Sequence, residues 1–85
     1  MSLKLDLLDA MIDGHLGRGL VITRQDVIGY FHQRPDTYTG VVLSNSETQA
    51  SHSPTYDKFT MRIADGEYRV HPGILLQRMN DRGLI

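Results

Sequence analysis

The sequence predicts a small α+β domain in which a three-helix cluster carries a C-terminal β-hairpin, followed by a short last helix. Three observations carry that expectation. An amphipathic helical pattern opens the chain, with Leu5, Leu8, Met11, Ile12 and Leu16 at helical spacing. A strand-sized run, Leu20-Val21-Ile22, is followed at once by a capping threonine, Thr23. Two alternating runs flank Asp65-Gly66 over residues 59–71, the pattern of a hairpin.

Composition sets the bounds. The chain has 85 residues, a net charge of −1 and 40% hydrophobic residues, which fits one domain over residues 1–85 and neither a disordered chain nor a polybasic arm. A domain this small buries roughly 60–65% of its unfolded surface, so its core is modest. No apolar run reaches the roughly 20 residues of a membrane span, so no membrane partner is expected. Cysteine is absent, which excludes disulfides and thiolate metal sites and fits a cytoplasmic protein.

The first helix is expected to start at a Ser2 cap and to end at Gly17, with Lys4, Asp6, Asp9 and Asp13 as an acidic exterior. The short strand follows. Thr23 then caps a second helix, with Asp26 three positions on to meet its free N–H groups. Val27, Tyr30 and Phe31 form the buried stripe of that helix, and Pro35 closes it. Asp36 or Thr39 caps a third helix lined by Tyr38, Val41, Val42 and Asn45. Residues 44–54 are small and polar, which predicts a solvated loop with one further turn near residues 47–50.

In the hairpin, a type I′ turn at Asp65-Gly66 sets Ile63 opposite Tyr68 and Met61 opposite Val70, with Phe59 beyond. Five apolar side chains would then share one side, and Thr60, Arg62, Glu67, Arg69 and His71 the other. The ribbon needs helices to cover its apolar side, since a lone hairpin is marginal in water. His71-Pro72 opens the last helix, which carries Ile74, Leu75 and Met79, and Gly83 ends it.

This order of elements is that of a winged helix-turn-helix, with the hairpin as wing and the short strand on its edge. The residues Val21-Ile22-Thr23-Arg24-Gln25-Asp26-Val27, then Thr39-Gly40-Val41-Val42-Leu43, then a Phe-x-x-Arg…Gly-x-Tyr-Arg pattern from Phe59 to Arg69 stand in sequence. On these the span Leu20 to Val70 resembles winged-helix modules of the HARE type and those of bacterial restriction and transcription proteins. The resemblance implies a third helix entering a DNA major groove, with Thr37, Thr39, Gly40 and Ser44 as its early contacts.

The residues themselves add cationic candidates: Arg24 on the second helix, Lys58 at the base of the wing, and Arg62 and Arg69 on it. In the alternating register Arg62 lies across from Arg69, a destabilising like-charge pair. Either a phosphate bridges the two or neighbouring Glu67 and Asp57 neutralise them. Few phosphate contacts are on offer, so binding would be weak and salt-dependent.

Four histidines, His15, His32, His52 and His71, show no i, i+4 metal pair, and no glycine-rich phosphate loop or nucleophile elbow occurs. No metal, cofactor or enzyme activity is expected. The alternative to nucleic acid is a protein-binding or dimerisation module. Leu76, Leu84 and Ile85 exceed what one buried face needs; either they cap the small core, or they are exposed and hold a homodimer through the C-terminal segment.

Overall fold

The computed structural model describes residues 3–34, 39–48 and 54–85. Among the described residues are four α-helices: α1 (Leu3–Ile12), α2 (Arg24–Tyr30), α3 (Val42–Asn45) and α4 (Pro72–Asp81). Strands β1 (Val21–Thr23), β2 (Thr60–Ala64) and β3 (Glu67–Val70) form one antiparallel sheet in the order β1-β3-β2. The α+β class and the edge position of the short strand follow the sequence expectation. Ser2, Pro35, Asp36, Thr37 and Tyr38, with the features expected of them, lie outside the described residues.

Helix α1 stops earlier than Gly17. Gly14 takes a left-handed φ of 82°, and the His15 N–H closes back onto the Ala10 carbonyl at 2.9 Å. Gly14 therefore supplies the terminating turn, because a residue with a Cβ pays for that conformation. Gly17, also left-handed, instead precedes the turn Arg18–Leu20, in which Gly19 and Leu20 are left-handed too, that feeds β1.

Thr23 ends β1 and caps α2 as expected. Its Oγ1 accepts from the Asp26 N–H at 3.0 Å, while the Asp26 carboxylate accepts from the Thr23 N–H at 3.1 Å. Val27 is buried and Phe31 half-buried, but Tyr30 is largely exposed and stacks on His15 with ring centres 6.0 Å apart. In α3, Val42 and Leu43 face the core, whereas Val41 and Asn45 are exposed rather than lining a buried side.

The hairpin departs from the alternating register. Only Gly66 has a positive φ, 70°, while Asp65 does not, so the turn is not type I′. Ala64 pairs with Glu67, but beyond a bulge at Ile63 the partners are Arg62↔Tyr68, Met61↔Arg69 and Thr60↔Val70. One inserted residue reverses every side chain on its far side. Met61 and Ile63 are accordingly 54% and 51% exposed, and Met61 lies on the opposite side of the ribbon from Tyr68. The expected five-residue apolar side does not form.

Thr60 takes the buried place assigned to Met61. Its hydroxyl donates to the Leu43 carbonyl at 2.9 Å and lies 3.1 Å from the Ser46 hydroxyl. The Thr60 N–H donates to the Ser46 carbonyl and the Thr48 N–H donates to the Thr60 carbonyl. A buried hydroxyl with partners costs little, and here it ties the end of α3 to the sheet. Glu47 forms a parallel bridge with Thr60, and the rest of the turn expected near residues 47–50 lies outside the described residues.

The core joins Leu7 and Leu8 of α1, Ile22, Val27, Val42, Leu43, Phe59, Tyr68, Val70, and Ile74 and Leu75 of α4. The acidic side of α1 is not a free exterior. Asp9 takes a two-pronged bond from Arg78 of α4 at 2.8 and 3.0 Å, Asp13 accepts from Arg82 at 3.3 Å, and Asp6 pairs with Arg34. α4 begins as expected at Pro72 with His71 Nδ1 accepting from the Gly73 N–H. It ends at left-handed Gly83, where the Leu84 N–H reaches the Met79 carbonyl.

Candidate nucleic-acid interface

Arg24, the first residue of α2, sits where three elements converge. Its backbone N–H donates to the Gly66 carbonyl in the hairpin turn at 2.9 Å. Its Nε donates to the Gly40 carbonyl, shortly before α3, at 2.8 Å. One exposed arginine thus ties the tip of the hairpin to the backbone just ahead of α3. Gly40 is engaged through its carbonyl and is not a bare point of close approach.

The other candidates lie in or shortly before α3 and the hairpin. Ser44 is exposed on α3, with its hydroxyl donating to the Val41 carbonyl at 3.1 Å. Lys58 is exposed and donates to the Asn45 carbonyl at the end of α3 at 2.6 Å. Arg62 lies near the turn and pairs with Asp65, on the side of the sheet that also carries Tyr68. Thr39 is only 1% exposed, so its hydroxyl does not reach a base edge. Thr37 lies outside the described residues.

Arg69 does not face Arg62. The bulge moves Arg62 across from Tyr68 and leaves Arg69 across from Met61 on the outer side, so no like-charge pair awaits a bridging phosphate. The neutralising carboxylate is also not the one expected. Asp65 pairs with Arg62, Asp57 pairs with Lys4, and Arg69 has no ion pair among the described residues. Asp65 stands three residues after Arg62, and that i, i+3 spacing across the turn was the available signal.

The Arg78 bond holds the Asp9 carboxyl below its ordinary range, against an opposing effect of burial, and Asp9 in turn raises the already high pKa of Arg78. These groups clasp α1 to α4. Among the described residues no cluster of three or more His, Asp or Glu side chains is placed to hold a metal ion. None of the described helices is long and apolar enough to cross a membrane. Comparison with protein-family models, curated proteins and solved structures finds no match to this chain.

Proposed function

We propose that this chain is a winged helix-turn-helix domain that binds duplex DNA through the tip of its wing and the third-helix region. The observation that carries the reading is the joint at Arg24. It joins the hairpin turn and the approach to α3 through one residue, and these are the two elements this architecture presents to a duplex. The strand order β1-β3-β2 between helices supports the same architecture.

In this reading Arg24, Arg62 and Lys58 supply phosphate contacts and Ser44 a hydroxyl contact, with Arg62 leaving Asp65 for phosphate. So few contacts give weak, strongly salt-dependent binding, in keeping with a net charge of −1. The reading goes with a cytoplasmic location and a binding role in place of catalysis. Fluorescence anisotropy of a labelled duplex at low salt tests it. Binding should appear at micromolar protein, and Arg62→Ala should flatten the salt slope by about one unit. An unchanged anisotropy rejects the reading.

A second reading, a protein-binding winged helix without DNA contact, rests on a separate observation. Leu76, Leu84 and Ile85 are all more than half exposed around the C-terminal helix. A homodimer or partner held through that segment would survive high salt, where the DNA complex would not.

A further inference from the structure

We infer that the outer face of the sheet is a self-docking surface, on which a second copy of this chain packs face to face. The inference goes beyond the DNA reading and does not depend on it, because Arg24, Gly40, Ser44, Lys58 and Arg62 are not part of this face.

The register lays the face out as two rows across the strands. Val21, Arg69 and Met61 form one row, and Thr23, Glu67 and Ala64 the other. The alternation along β3 confirms the direction, since Glu67 and Arg69 are exposed while Tyr68 and Val70 are buried. Met61 contributes an exposed apolar side chain, and Ile63 at the bulge lies beside it. Neither Arg69 nor Glu67 has an ion-pair partner among the described residues.

This face is complementary to itself. A two-fold axis lying between two such sheets, perpendicular to the strands, turns each row onto the other row of the second copy. Arg69 then stands over Glu67 of the second copy, and Glu67 over its Arg69. Met61 falls over the small Ala64. Opposite charges and a large-over-small apolar contact are thus each made twice, as an isologous interface requires. Aligned sheets stacked about 10 Å apart are an ordinary packing.

The face is small. A stable dimer buries about 800 Å² per partner, more than six residues supply, so dissociation constants on the order of 0.1–1 mM are expected. The same two rows explain why the apolar Met61 is tolerated in water in the monomer: the patch is narrow and bordered by charge.

Sedimentation equilibrium of the full chain, over a concentration series reaching about 1 mM, tests the inference. The average mass should climb toward that of a dimer. Arg69→Glu or Glu67→Arg alone should hold it at the monomer, and the double exchange Arg69→Glu with Glu67→Arg should restore the climb. Leu76→Lys, on the exposed side of α4, should leave it unchanged. Circular dichroism confirms that each variant is folded, which substitutions at exposed positions should allow. A mass that stays monomeric across the series overturns the inference. So does a dimer abolished by Leu76→Lys but indifferent to Arg69→Glu, which would mark the C-terminal segment as the contact.

Discussion

The guanidinium of Arg24 donates to the carbonyl of Gly40 at 2.8 Å, joining the start of α2 to the backbone just ahead of α3. The backbone N–H of the same residue holds the hairpin turn through Gly66. Arg24→Ala keeps the backbone bond and loses the side-chain one. The expected cost is about 1 kcal/mol, since the Gly40 carbonyl is half-buried and water can partly replace the donor. Urea denaturation measures it, and an unchanged midpoint would mean that the joint has no energetic weight.

The bulged register has a direct mutational signature. Met61→Lys should be folded and within about 0.5 kcal/mol of the parent, because the side chain already stands in water. Val70→Lys, which puts an unpaired charge in the core, should not fold to a stable state. In the uninterrupted register the two positions face each other and both substitutions would be ruinous. Thermal unfolding of the pair decides between them.

That difference also shows how far the sequence could be read. Local devices were legible: the Thr23–Asp26 capping box, the His71-Pro72 start, the Gly83 stop, and the short strand set by its flanking glycines and cap. Each is a rule about neighbouring residues. The bulge was not legible, because alternation in residues 59–71 favours a register on hydrophobicity alone. The observed register instead satisfies the buried Thr60 hydroxyl through Leu43 and Ser46, residues far away in the chain. The acidic side of α1 was misread for the same reason: Arg78 and Arg82 are 69 positions from Asp9 and Asp13. Among the site candidates, Arg24 emerged with a larger structural role than its charge suggested, and Thr39 lost its role through burial.

Thr60→Val tests that account of the bulge. Valine matches the shape of threonine but removes the hydroxyl that donates to the Leu43 carbonyl. The expected loss is about 1–2 kcal/mol, since a buried carbonyl is left with a bond fewer. Chemical denaturation monitored through far-ultraviolet circular dichroism provides the number. A gain in stability would show that the buried hydroxyl contributes nothing to the register.

The clasp between Asp9 and Arg78 gives stability a pH dependence. The Asp9 pKa is lowered in the folded state, chiefly by the Arg78 hydrogen bond. Its contribution is therefore fully present above the ordinary carboxylate range near about pH 4 and disappears as pH falls through the lower folded value. For a partly exposed pair it amounts to about 1 kcal/mol. Asp9→Asn should cost that amount at neutral pH and nothing once Asp9 of the parent is protonated. Melting temperatures across an acid series should converge, and parallel curves would refute the linkage.

Assigned backbone amide spectra recorded while duplex DNA is added at low salt bear most directly on the proposed interface. The expected result is a set of shifts centred on Arg24, Gly40, Ser44 and Arg62 that fades as salt is raised. Spectra that do not change, or that change only around Val21, Glu67 and Arg69, would contradict it.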